Sequence, residues 1–319
     1  MLKVVIIGYG EMFTNLIAAT LDANCEIVGV LRKDTIKHHP IMKKFKDVFN
    51  PSLEYSYIKS YNLPEIKARG VNTPKFREEL LKLNPDIVLV GSWGEKLEKA
   101  TYDIPKIATI NAHPSLLPKY RGPNPYFWVI KNQEQTTGIT FHLVDNGYDS
   151  GAILAQEEIK IYPSDTGESL KQRTVLTARG VACELLNALK EDIIIPLQQK
   201  EENATYFSHP EELELNFKKS AEENLAAIKA IHSWNKAYFY HNITPIAPDP
   251  HNTTVEENKT NYTTAGTIVE ANAKTKTIAI LCQDRKVLRM TNVSLYKKWD
   301  RFFTKNYISL EIKEGSIVL

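Results

Sequence analysis

Asn111, His113 and Asp149 are the residues of this 319-residue chain whose types and spacing could do chemistry. The first two stand in Asn111-Ala112-His113-Pro114, and the third, 36 positions after His113, in Gly147-Tyr148-Asp149-Ser150-Gly151. A carboxylate beside an imidazole orients the ring and raises its basicity, so the ring can take a proton near neutral pH. An amide NH2 can donate to a developing oxyanion. Together the three suit acyl transfer to an amine. They also have a plain structural reading, in which Asn111 and His113 cap a turn and Asp149 binds its own backbone.

Two strands have to bring these groups together. Residues 107–110 are an apolar run that stops at Asn111, and residues 138–144 alternate β-branched and aromatic side chains up to the turn Asp145-Asn146-Gly147. Strand ends are where α/β folds carry their chemistry. Further short apolar strands are expected at 3–7, 26–30 and 87–90, separated by stretches with helical spacing such as Phe13, Leu16, Ile17 and Leu21. Residues 74–83 begin on a proline suited to a first helical turn, and a longer helix is expected over 169–189. The alternation predicts an α/β domain with a Rossmann-like, mostly parallel sheet over 1–205.

After that the character changes. Residues 206–264 read as a linker with one amphipathic helix near 221–232 and a Pro, Asn and Thr-rich loop over 245–264. Residues 265–319 read as short strands, and a small C-terminal β-barrel of the OB-like type is the economical expectation.

Composition excludes several classes. The chain is 43% hydrophobic with a formal net charge of +2, so it is neither a supercharged nucleic-acid binder nor an acidic tail. Cys25, Cys183 and Cys282 are isolated, which speaks against a zinc site or a disulfide framework. With no 18-residue apolar run and a strand-like N-terminus, the expectation is a cytoplasmic protein without membrane attachment. Gly8-Tyr9-Gly10 invites a dinucleotide reading, but Phe13 stands where the third glycine belongs, and a tight strand-to-helix turn is preferred. His142 reads as a packed strand residue.

Residues 111–122, NAHPSLLPKYRG, and 137–154, TGITFHLVDNGYDSGAIL, strongly resemble the catalytic domain of the 10-formyltetrahydrofolate-dependent formyltransferases, over roughly residues 1–205. The resemblance implies transfer of a formyl group from N10 of the folate to a primary amine, without a metal. Asn111, His113 and Asp149 match that family's catalytic residues. His113 would then be general base or proton shuttle, Asp149 would orient it and stabilise its charge, and Asn111 would stabilise the tetrahedral oxyanion. The folate loops would be Ser92, Trp93 and Gly94 and, before the catalytic Asp, Val144, Asp145 and Gly147.

The resemblance also frames the acceptor. The C-terminal region and the length look like the methionyl-tRNA branch, making initiator Met-tRNA the first expectation and an amino-deoxysugar nucleotide the alternative. Ser115 and Arg121 lie in the loop leaving the site, where Arg121 could hold a phosphate or carboxylate bidentately or form a structural ion pair. Arg32, Lys43 and Lys44 belong to a basic cluster after the second strand, and seven basic residues interleave with aromatics over 285–305. Both clusters read either as RNA contacts or as ordinary solvated cations. The branch's usual Arg-Gly-Ala-Ala-Pro loop reads Arg121-Gly122-Pro123-Asn124-Pro125 here, a departure on the acceptor side.

Overall fold

A computed structural model describes residues 1–33, 47, 49–210, 213–230, 236–296 and 301–318, the side chains of 301–303 excepted. Lys43 and Lys44 lie outside the described residues. The chain divides into two compact units, the first made of Met1–Pro125, Thr136–Lys160 and Lys171–Ser208, the second of Tyr126–Gln135, Ile161–Leu170 and His209–Leu319.

The first unit is built on six strands. β1 (Lys3–Gly8), α1 (Gly10–Asp22), β2 (Glu26–Arg32), α2 (Leu53–Ser60), α3 (Pro74–Leu83), β3 (Ile87–Gly91), the short α4 (Lys99–Tyr102) and β4 (Ala108–His113) come first. In chain order α5 (Pro125–Lys131), which falls almost wholly in the second unit, β5 (Thr136–Leu143), β6 (Ile153–Lys160) and α6 (Gly167–Lys190), whose first turn also falls there, follow. The sheet order is β2-β1-β3-β4-β5-β6. β2, β1, β3 and β4 are parallel, and β5 and β6 turn antiparallel.

Successive strand residues point to opposite faces, so each strand feeds two cores. Val4 and Ile6 pack with Leu16 and Ile17 of α1 and with Ala178, Ala182 and Leu185 of α6, whereas Val5 and Ile7 pack with Phe76 and Leu80 of α3. α3 starts where the sequence places it, because the Thr73 hydroxyl accepts from Phe76 N and Pro74 fills the first turn. It stops at Asn84, which takes the left-handed conformation.

The glycine turn after β1 holds no open phosphate cradle. The first amide of α1, Gly10 N, donates to Glu54 Oε1 at 2.6 Å, so a carboxylate already occupies that helix terminus. A Cβ on Gly8 would lie 2.4 Å from the Gly91 carbonyl, which keeps β1 and β3 in close approach.

In the second unit the capping box of Ser220 and Glu223 starts α7 (Ala221–Lys229). The strands are β7 (Phe239–His241), β8 (Thr244–Ala247), β9 (Thr253–Glu257), β10 (Ile268–Asn272), β11 (Thr277–Leu281), β12 (Lys286–Met290) and β13 (Ser294–Leu295). They form antiparallel sheets ordered β10-β11-β12-β9 and β13-β8-β7. Two differences from the sequence reading stand out. The stretch read as linker supplies three strands, and β9 pairs with β12 (Val255 with Leu288 at the centre), so these sheets begin before residue 265. The stretch read as all strand ends in a helix, α8 (Arg301–Glu311), because Thr304 and Ile308 recur at helical spacing and are both buried.

Candidate active site

The sequence suggested that the apolar run stops at Asn111, but β4 continues through Asn111 to His113. The two polar side chains are therefore two positions apart on one strand and share a face. Antiparallel pairing sets Asn111 opposite His142 and His113 opposite Thr140, while Ala112 and Phe141 face the apolar side together. Asp149 follows β5 in a loop and takes the left-handed conformation, with φ of 53°. That loop is folded by Asp145, whose carboxylate accepts from Gly147 N at 2.9 Å and from the Ser150 hydroxyl at 2.9 Å.

Asp149 is the hub. Its Oδ2 accepts from Gly122 N at 2.8 Å and lies 3.5 Å from His113 Nδ1. Its Oδ1 accepts from Asn111 Nδ2 at 3.3 Å and lies 3.5 Å from His142 Nε2. Burial pushes the carboxyl pKa up, but His113, His142 and the Gly122 amide outweigh it and hold Asp149 well below the usual carboxylate range. It is an anion at every physiological pH.

The histidine tautomers follow from their other contacts. His113 Nε2 sits 2.8 Å from the Tyr120 carbonyl, which only accepts, so Nε2 carries the hydrogen and Nδ1 presents its lone pair beside Asp149. Burial of this ring, 5% exposed, pushes its pKa down against the pull of Asp149 and the Tyr120 carbonyl. It therefore rests neutral, and a proton arriving at Nδ1 would form an ion pair with Asp149. His142 Nδ1 donates to the Leu143 carbonyl at 2.8 Å, leaving Nε2 to accept from Asn111 Nδ2 at 3.1 Å. Both Asn111 amide hydrogens thus have acceptors within the protein. To serve an oxyanion, Asn111 must release one of them.

His142 is a site residue that the strand-packing reading missed. The signal was present: with Asn111 in register across the antiparallel pair, the parity that turns Ile139 and Phe141 inward turns Thr140 and His142 onto the face of Asn111 and His113.

The other expected positions fall into three groups. Ser92 has φ of 56°, Gly94 has nothing within 4 Å of where a Cβ would be, and Lys96 Nζ ties this loop to the loop of Asp145 by donating to the Asn146 carbonyl at 2.6 Å. Trp93 packs on the Val5 core, as does Val144, and its indole N–H is buried without a hydrogen-bond partner among the described residues. An open loop with an orphan donor fits a bound co-substrate with acceptor atoms, as the folate is.

Ser115 is fully buried and donates its hydroxyl hydrogen to the Lys119 carbonyl, so it shapes the loop and does not face a substrate. The two arginines offered as substrate anchors are also internal. Arg121 is 8% exposed and donates to Glu201 through Nη1 and Nη2 at 2.9 and 2.7 Å and to Gln199 Oε1 at 2.8 Å. Arg32 is 1% exposed, pairs with Asp47 and Glu65, and lies over the Tyr55 ring. A charge this buried needs those partners. Of the cations over 285–305, Lys286 is paired with Glu222 and Arg289 with Glu256 and Glu270.

Known proteins bear on this geometry. The family model described as formyl transferase matches residues 2–184, more than half of the chain. The chain belongs to the formyl transferase family. Methionyl-tRNA formyltransferase of Caldanaerobacter subterraneus subsp. tengcongensis is 42% identical over 135 residues, 42% of this chain and 44% of that protein. The same enzyme of Clostridium tetani is 37% identical over 166 residues, 51% of this chain and 54% of that protein. The matched stretches thus span about half the length of these curated relatives. A solved N-formyltransferase from Helicobacter canadensis, in complex with folinic acid and dTDP-3-aminofucose, superposes with a TM-score of 0.65 at 20% identity, covering 91% of this chain and 99% of its own. That likeness carries the fold. This chain has the formyl transferase family's mixed sheet and an additional antiparallel, strand-rich region.

Proposed function

We propose that this formyl transferase moves the formyl group of 10-formyltetrahydrofolate onto a primary amine at Asn111, His113 and Asp149. The observation that carries the reading is the buried His113, whose Nε2–H is engaged by the Tyr120 carbonyl and whose Nδ1 lies 3.5 Å from Oδ2 of Asp149. As the amine attacks the formyl carbon its proton passes to this pair as an imidazolium stabilised by the carboxylate; when the tetrahedral adduct collapses the C–N10 bond breaks and the same proton goes to N10, releasing tetrahydrofolate. The tetrahedral oxygen takes a hydrogen bond from Asn111 once the amide gives up its contact to His142 or Asp149. The folate lies against Ser92, Trp93 and Gly94 and against Val144, Asp145 and Gly147, the first loop supplying open space and an orphan donor.

The acceptor is read first as the methionyl amino group of Met-tRNA, which the names of the sequence relatives support. A second reading, an amino-deoxysugar nucleotide, is favoured by a specific observation. Arg32, Arg121, Lys286 and Arg289, cations expected to grip a polyanion, are each paired with carboxylates. Purified enzyme incubated with 10-formyltetrahydrofolate and either Met-tRNA or a panel of amino-sugar nucleotides decides between them. Formylated Met-tRNA upholds the first reading, and formylated sugar with unmodified Met-tRNA replaces it by the second.

A further inference from the structure

The loop carrying Asp149 needs an explanation that the catalytic groups do not supply. A non-glycine residue at φ of 53° is strained and persists only where its surroundings over-determine it. Beside the Asp145 carboxylate, which folds the loop before it, one side chain binds the backbone at Asp149 itself. Gln199 Nε2 donates to the Asp149 carbonyl at 2.9 Å and to the Gly151 carbonyl at 2.8 Å, fixing the backbone on both sides of Ser150.

Gln199 is itself held. Its Oε1 accepts from Arg121 Nε at 3.2 Å and Nη2 at 2.8 Å, so the amide can point its nitrogen only toward the Asp149 loop. Arg121 is fixed in turn by Glu201 and by its backbone, which donates to the Thr205 carbonyl and accepts from Phe207 N. The next residue, Gly122, gives the amide that binds the Asp149 carboxylate. One relay therefore grips Asp149 twice, at its carbonyl through Gln199 and at its carboxylate through Gly122. Gln199, Glu201 and Phe207 all follow the residues that the family model covers, 2–184.

We infer that Gln199, oriented by the Arg121–Glu201 pair, is a positioning residue for formyl transfer that sets the distance of the Asp149 carboxylate from His113. It touches no reacting atom and acts through Asp149. The inference rests on the proposed catalytic roles of His113 and Asp149, so its test includes a measurement that needs no turnover.

Gln199→Glu keeps a partner for Arg121 but replaces the donor to the two carbonyls by a charged oxygen, and Gln199→Met removes the amide without adding charge. Both are expected to lower kcat per folded molecule about tenfold or more while leaving KM for the folate unchanged, since small displacements of a reacting group cost rates of that order. The His113 ring, followed by NMR through a pH titration, is expected to titrate lower by about half a unit or more in Gln199→Met, because a displaced carboxylate supports the imidazolium less. That titration reads the positioning even if the wild-type enzyme proves to formylate nothing, an outcome that would remove the proposed function instead. Wild-type kcat in Gln199→Glu, an unmoved His113 titration in Gln199→Met, or lost thermal stability with kcat per folded molecule intact in both overturns the inference.

Discussion

At the scale of single residues, the site works by an imbalance between two buried groups. Burial opposes charge on both, but His113 yields to it and Asp149 does not, because Asp149 accepts from the Gly122 and Asn111 amides and a proton reaching either neighbouring imidazole sets an opposite charge beside it. Asp149→Asn separates these effects. His113 loses the charge that draws its pKa upward, so the ring titrates still lower, and the acid limb of kcat moves to lower pH even as kcat falls by about 10² or more. An acid limb that stays put would mean that His113 is not the group being titrated. Stability follows the same sign. His113 and Asp149 are both depressed, so each contributes stability that is present above its unfolded pKa and lost on acidification. For His113 the loss begins as pH falls through about 6.5, and for Asp149 it begins only below about 3.9. Acid unfolding of Asp149→Asn, monitored by circular dichroism, should lack the second component and keep the first.

At the scale of elements, two glycines test different things. Gly122 has φ of 95°, and a Cβ there would meet the Phe207 carbonyl at 2.3 Å, backbone that cannot swing aside because Phe207 N is bonded to Arg121. Gly122→Ala should cost about 2 kcal/mol or more by denaturant titration and displace the amide that holds Asp149. Gly94 faces open space, so Gly94→Ala should leave stability within about 0.5 kcal/mol. If the folate occupies that space, KM for 10-formyltetrahydrofolate should rise several-fold in the same variant. An unchanged KM would move the donor away from this loop. These elements also mark what the sequence could reveal. Alternation and caps placed β1, β3 and α3 almost to the residue, because each is specified by local chemistry such as Thr73 and Pro74. The extension of β4 through Asn111 and His113 was hidden, since polar residues end an apolar run whether or not the strand stops. His142 was legible only once the antiparallel register was known, and Gln199 carried no local signal, because its partners are 48 to 78 positions away.

At the scale of the whole molecule, the question is how this chain presents itself to a charged acceptor. Its net charge of +2 comes from 40 basic and 38 acidic residues, so long-range attraction for a polyanion is weak unless cations gather locally. Among the described residues four of these cations are paired, Arg32 with Asp47 and Glu65, Arg121 with Glu201, Lys286 with Glu222, and Arg289 with Glu256 and Glu270, while Lys43, Lys44, Lys297 and Lys298 lie outside the described residues. Proximity in sequence could not reveal this, because the carboxylates arrive from 15 to 80 positions away. Phosphate contacts leave a distinct record in salt dependence, six to ten of them weakening binding by about 10³–10⁵ between 50 and 200 mM salt. With cations already engaged by carboxylates, KM for the acceptor should rise by less than about tenfold over that range, while KM for the folate stays nearly constant. A rise beyond about 10³ would require several phosphate contacts made by other cations, for which Lys43→Ala and Lys44→Ala are the first variants to measure. If those two substitutions flatten the slope by about one unit each, the basic segment after β2 is the acceptor grip, and the paired arginines only hold the fold around it.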